Sequence, residues 1–172
     1  QEVGTHVGGN DPFSYNITPF LNGEKKLQEL ELSVWDPTDT GTQPRGKQTL
    51  RPRGIWYSAV SGIWQTVWLE AVEKTYIKQI NINSDIDQKK INIDIDLENT
   101  NGNEKYLIKI LQDKVQIVNK TFNSDQDLNI EIPNPKLWSP DHPHLYDLEV
   151  NVTRNGVSID KISSYFAMRK IA

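Results

Sequence analysis

The 172-residue chain contains no cysteine. Disulfides, thiolate metal sites and thiol nucleophiles are thereby excluded together, and the redox compartment stays open. Long hydrophobic runs are also missing. No apolar stretch approaches the roughly 20 residues that a membrane-spanning helix requires, so no membrane span is expected. A basic excess is absent as well, because 19 Lys and Arg stand against 23 Asp and Glu for a net charge of -4. That balance gives no electrostatic footprint for a nucleic-acid partner, and neutral or polar ligands fit better. The first residues show no charged-then-apolar leader, which is compatible with a cytoplasmic protein, a processed secreted one or an excised piece, so localisation is not readable directly. Three Asn-x-Thr triplets, at Asn16, Asn119 and Asn151, match the glycosylation acceptor pattern, but a chain this rich in Asn produces them by chance.

What the chain does have is an aromatic run at residues 54–70, GIWYSAVSGIWQTVWLE, which crowds Trp56, Tyr57, Trp64 and Trp68 into one short stretch. Trp and Tyr fill cores and also stack on sugar faces. If 64–69 is a strand, Trp64 and Trp68 share one face, and core packing is the favoured role for them. Trp56 and Tyr57 follow Arg51, Pro52, Arg53 and Gly54 in a loop. Arg53, Trp56 and Tyr57 are therefore the candidates for contact with a ligand or a neighbouring domain.

From about residue 75 onward, apolar residues recur with period two and turn residues punctuate them every ten or so positions. Ile91, Ile93, Ile95 and Leu97 alternate with Asn92, Asp94 and Asp96. Tyr106, Ile108 and Ile110 repeat the pattern, as do Leu128, Ile130 and Ile132, and then Tyr146, Leu148, Val150 and Val152. Arg154, Asn155 and Gly156 supply a hairpin turn before a returning strand that starts at Val157–Ile159. About seven strands in under 100 residues predict an antiparallel sandwich of immunoglobulin type without its disulfide. The first 72 residues are loop-rich, with Gly and Pro spacing short apolar runs. Leu27–Trp35 and Trp64–Leu69 are the strand-like segments there, and a break near Val72–Lys74 separates residues 1–72 from 73–172. The first half has too few strands for its loops, which suggests sequence missing upstream of Gln1. A sandwich without its edge strands exposes apolar surface, leaving homo-oligomerisation open.

Other constellations carry less. Gly41–Lys47 has the spacing of a phosphate-binding loop, but Gln48 replaces the magnesium-binding hydroxyl, Pro44 stiffens the loop and Pro52 falls where a helix should run. Asp36 and Asp39 could ligate a cation, although capping a turn is the favoured role. Asp94 and Asp96 lie opposite the Ile face of their strand and are expected to be solvated. His6, His142 and His144 form no spaced ligand set. No metal, cofactor or catalytic residue is assigned.

Several stretches together resemble glycoside hydrolase family 2, the group of β-galactosidase, β-glucuronidase and β-mannosidase. Val3–Leu21 is similar to the middle of that family's sugar-binding jelly roll, DPTDTGTQPRGKQ (36–48) to its long loop and SGIWQTVWLE (61–70) to its last strand. WSPDHPHLYDLEV (138–150) and SYFAMRKI (164–171) resemble the family's immunoglobulin-like domain. The resemblance implies an all-β chain, with a truncated galactose-binding-like jelly roll at 1–72 and an immunoglobulin-like β-sandwich at 73–172. It implies a larger bacterial parent, a retaining exo-glycosidase acting on a carbohydrate substrate, whose catalytic (β/α) barrel would begin just after Ala172. Both catalytic Glu residues of the family lie in that barrel, so this chain alone should be inactive. A periplasmic or secreted location is then slightly favoured over a cytoplasmic one. The acidic sugar-contacting residue of the family's loop has no counterpart between Arg51 and Ser58. Arg53, Trp56 and Tyr57 are instead expected to shape the substrate entrance or to dock on the barrel. The alternative is a free-standing carbohydrate-binding or adhesion protein with no enzymatic role.

Overall fold

A computed structural model describes residues 1–23 and 26–170. Within it the chain divides into two compact units, Gln1–Trp68 and Leu69–Ala172. Ile171 and Ala172, which end the terminal motif and would mark the start of a barrel, lie outside the described residues.

Among the described residues the first unit holds a single 3-10 turn at Thr18–Phe20 and two short strands, β1 (Gln48–Thr49) and β2 (Tyr57–Ser58), which pair in parallel. The strands expected at Leu27–Trp35 and Trp64–Leu69 do not form; among the described residues neither segment pairs with another strand. Trp64 and Trp68, expected in a core, are 70% and 74% exposed. Alternation determines which side chains share a face, but burial also needs a second layer across from that face.

The second unit supplies that second layer. Its seven strands are β3 (Tyr76–Asp85), β4 (Lys90–Glu98), β5 (Glu104–Gln112), β6 (Val115–Asn123), β7 (Leu128–Glu131), β8 (Tyr146–Arg154) and β9 (Val157–Phe166). They form a three-stranded sheet in the order β3-β4-β7 and a four-stranded sheet in the order β6-β5-β8-β9, all antiparallel. Period-two alternation turns Ile91, Ile93, Leu128 and Ile130 from one sheet toward Ile108, Ile110, Leu148 and Val150 from the other, and all eight are buried. Each such side chain contributes about 2 kcal/mol of transfer free energy. Asp94 and Asp96 sit on the outward face and are exposed. The β8-β9 hairpin turns through Asn155 (φ 52°) and Gly156 (φ 80°), two consecutive left-handed residues as a two-residue hairpin demands. Along one side the sheets are linked by Asp160 of β9, which accepts the Ile77 amide of β3 at 2.7 Å, and by Ser84, whose hydroxyl donates to the Ala167 carbonyl at 2.7 Å.

The central strand β8 is fixed at both ends. At its start Tyr146 is fully buried, stacked on Phe166 at 5.1 Å, and its hydroxyl accepts the Lys136 amide at 2.7 Å. This is the tyrosine corner of immunoglobulin-like sandwiches. At its end Arg154 pairs with Glu104, a fully buried carboxylate. Glu104 also accepts the Thr100 hydroxyl at 2.7 Å and the amides of Asn101 at 3.2 Å and Gly102 at 3.0 Å. Arg154 donates in turn to the Thr75 hydroxyl at 3.0 Å, and Thr75 donates to the Asn99 carbonyl at 3.0 Å. Burial alone would raise the Glu104 pKa, but these donors, led by Arg154 and Thr100, outweigh it and lower the value from 4.5 to about 2.

Because the folded pKa lies below the unfolded one, the stabilisation is complete above about pH 4.5 and is lost as pH falls toward 2. Urea unfolding between pH 6 and 2.5 should therefore show stability dropping in that window, with a flatter dependence for Glu104→Gln. Glu104→Ala should cost about 3 kcal/mol, the lower end of the range for breaking a buried pair, since Arg154 retains some solvent contact. Tyr146→Phe should cost about 1 kcal/mol in the same titration, because the Lys136 amide loses its acceptor.

Candidate functional site

The loops of the first unit are held by two carboxylates. Asp36 accepts the Thr38 amide at 2.7 Å and the Ser61 hydroxyl at 2.8 Å, so one side chain joins the start of the long loop to the segment after β2. Asp39 accepts the Thr49 hydroxyl at 2.6 Å and the Leu50 amide at 3.3 Å, and lies 3.8 Å from the Arg45 guanidinium. The Thr49 hydrogen bond, helped by the Leu50 amide and Arg45 and opposed by partial burial, keeps its carboxyl below the ordinary range. Asp36 thus caps its own turn, and both carboxylates tie loop segments that are distant in sequence.

Asp39 also positions Arg45, whose guanidinium lies 5.5 Å above the Trp56 ring. The arrangement orients the indole and leaves Trp56 39% exposed. Gly54 (φ 57°) permits the turn in which the Trp56 amide donates to the Arg53 carbonyl at 3.0 Å. The Tyr57 amide then donates to the Lys47 carbonyl at 2.9 Å, which starts the β1-β2 pairing. Tyr57 is 65% exposed and lines an open groove of about 580 Å³ together with Gln48, Ser58, Ser61 and Trp64. Gln48 orders the groove by accepting the Val60 amide at 2.7 Å, and the Trp64 indole is fixed by donating to the Gly9 carbonyl at 2.7 Å. Exposed indole and phenol rings beside hydroxyl and amide groups suit a ligand with apolar faces and polar edges.

The three residues picked from the sequence are therefore contiguous, but they do not converge equally. Trp56 and Tyr57 are structured and accessible; Arg53 joins them through its backbone, and among the described residues its guanidinium has no hydrogen-bond or ion-pair partner. Asp39 was named from the sequence as a loop-ordering carboxylate, whereas Arg45 and Gln48 were missed. Arg45 lay in the segment rejected as a phosphate loop and Gln48 directly follows it, and the discarded spacing concealed their role.

In the sandwich, a cavity of about 40 Å³ lined by Lys109, Glu149 and Lys161 is too small for a sugar ring. His144 packs edge-on against Tyr146 at 4.8 Å, with Asp113 at 4.0 Å. Glu104, its buried carboxylate, is committed to Arg154. Among the described residues no cluster of His, Asp and Glu could hold a metal ion.

Comparison with known proteins places this architecture. The model for glycosyl hydrolases family 2 matches residues 75–169, and the chain belongs to that family. It is 30% identical to a β-galactosidase of Thermoanaerobacterium thermosulfurigenes over 98% of its own length and 25% of that protein's. It is 26% identical to a putative β-glucuronidase of Formosa agariphila over 98% of its length and 20% of the relative's. The chain thus spans about a quarter or less of these curated relatives. Among solved structures, the β-glucuronidase of Bifidobacterium dentium, complexed with coumarin-3-O-glucuronide, aligns with 58% of this chain and 19% of that one at a TM-score of 0.50 and 20% identity, a likeness of fold.

The loop account makes a local prediction. Asp39→Ala should speed hydrogen exchange of the Leu50 and Tyr57 amides several-fold, measured by mass spectrometry, while the strands Tyr76–Phe166 exchange as before.

Proposed function

We propose that this chain is a non-catalytic accessory region of a retaining exo-glycosidase, with residues 1–72 contributing to a sugar-binding jelly roll and 73–172 forming the immunoglobulin-like sandwich. The single observation that carries the reading is the family match over the sandwich, combined with relatives several times longer. The chain's own chemistry agrees. A retaining glycosidase needs one carboxyl held protonated near neutral pH and a second about 5 Å away, whereas the one buried carboxyl among the described residues stays ionised down to about pH 2. Hydrolysis then belongs to a catalytic barrel elsewhere in the parent protein.

In that parent the apolar side chains exposed at Leu27, Leu30, Trp64 and Trp68 would be covered by further strands of the same jelly roll. Arg53, Trp56 and Tyr57 would face the substrate entrance or dock on the barrel. A sugar entering past them would place its apolar ring face on the Trp56 indole and its hydroxyls near Gln48 and Ser61 in the groove. Whether the parent cleaves a galactoside or a glucuronide is decided by the barrel.

Replacing both Trp56 and Tyr57 by Ala in the full-length protein tests this. If they face substrate, KM for an oligosaccharide should rise about tenfold, equivalent to about 1.4 kcal/mol of lost binding, with kcat largely kept. If they dock on the barrel, Tm should fall instead. Unchanged KM together with unchanged Tm would refute the assignment, and glycoside hydrolysis by the 172-residue chain alone would refute the non-catalytic reading.

A further inference from the structure

Residues 167–170 continue from β9, and each of them is held by a different group. The Ala167 carbonyl accepts the Ser84 hydroxyl of β3 at 2.7 Å. The Met168 carbonyl accepts the Trp138 amide at 2.9 Å, and Leu137 and Met168 form a parallel bridge. Two consecutive carbonyls are thus tied in two directions, one to the three-stranded sheet and the other to the segment between β7 and β8. Arg169 lies 5.3 Å over the Trp138 ring, and Lys170 pairs with Asp87 in the turn between β3 and β4. These contacts are unequal. The Met168 side chain is fully buried in the shared core and acts as a peg, bracketed by the two hydrogen bonds. Arg169 and Lys170 are exposed, and water screens the ion pair to Asp87, so they add direction more than strength.

We infer that residues 167–170 form a strap that fixes the direction in which the chain leaves the sandwich, so that any polypeptide continuing past Lys170 turns with the sandwich as one body. A flexible linker has the opposite character: Gly, Ser or Pro in its sequence, backbone groups open to water and few contacts to the domain it leaves. Residues 165–170, YFAMRK, contain none of those three residue types and place Phe166 and Met168 in the core. The strap also joins what the sequence separates. Its holding groups come from residues 84–87 and 137–138, so lifting it would part three segments at once. The use of the strap rests on the accessory reading above, in which a longer protein carries the catalytic barrel and the strap keeps the sandwich in one orientation within it. Its mechanics do not depend on that reading.

The Trp138 amide reports the strap directly, because it is released only when the Met168 carbonyl moves away. In the 172-residue chain its hydrogen exchange, followed by NMR, should be slowed to within about tenfold of the β8 amides. The triple variant Ser84→Ala, Arg169→Ala, Lys170→Ala removes the side-chain holds and leaves the Met168 peg. Its Trp138 amide should exchange about tenfold faster while the β5 and β8 amides keep their rates. In the full-length protein, a fluorophore attached at Asn119, exposed on the edge strand β6, should lose anisotropy at the rate of the whole molecule. The variant should add a faster component with the rate of the free chain. Exchange of Trp138 as fast as an unprotected amide, or a fast component already present without the substitutions, would overturn the inference. So would a variant that frees the Trp138 amide and adds no fast component. A full-length protein that rotates as expected but hydrolyses no glycoside would overturn the accessory reading and leave the strap in place.

Discussion

A carboxylate with no solvent contact organises the folded part of this chain. Burying the Glu104 charge costs several kcal/mol unless it is fully paired, and the Arg154 guanidinium, one hydroxyl and two amides supply that pairing. Those donors come from the turn between β4 and β5 and from the last residue of β8, while Arg154 also reaches Thr75 at the entry to β3. One charge therefore constrains three segments that are distant in sequence. Its counterpart at the other end of β8 is Tyr146, which fixes the crossing from β7 through Lys136. With β8 held at both ends, the alternating Leu148, Val150 and Val152 can only point inward.

The division of labour between the two units follows from where apolar side chains are buried. Among the described residues every buried apolar side chain lies between Ile91 and Met168, and the first unit buries only Thr38. The sandwich holds the buried apolar core, shared between its two sheets. The first unit is the reverse, with loops ordered by polar contacts through Asp36, Asp39 and Gln48 and aromatic rings left in reach of solvent.

How much could be read from the sequence differs by element, for physical reasons. Strands β4, β5, β7 and β8 keep one alternation phase from end to end, and their inward apolar residues were all identified. In β3 and β6 the phase changes at a bulge. Ile77 gives way to Ile80 and Ile82 across the skipped Lys78, and in β6 the unpartnered Ile117 and its neighbour Val118 both reach the core, with Phe122 following in the phase of Val118. A pattern that switches phase midway blurs under a period-two reading. The Glu104–Arg154 pair was hidden because its members are 50 residues apart and only the sheet register brings them together. For the candidate site the sequence identified Arg53, Trp56 and Tyr57 and missed Arg45, whose contact with Trp56 depends on Asp39. Trp64 and Trp68 were assigned to a core because alternation says nothing about whether a facing layer exists.

The central claim is that the sandwich closes on itself while residues 1–68 present unfinished apolar surface to be covered within a longer glycosidase. Hydrogen exchange, compared between the 172-residue chain and the full-length protein, tests it most directly. The account predicts slow exchange in β4, β5 and β8 in both, and slowing by at least tenfold in the full-length protein at 27–35 and 64–68. Equal protection of 27–35 and β5 in the chain alone, or no slowing in the full-length protein, would contradict it.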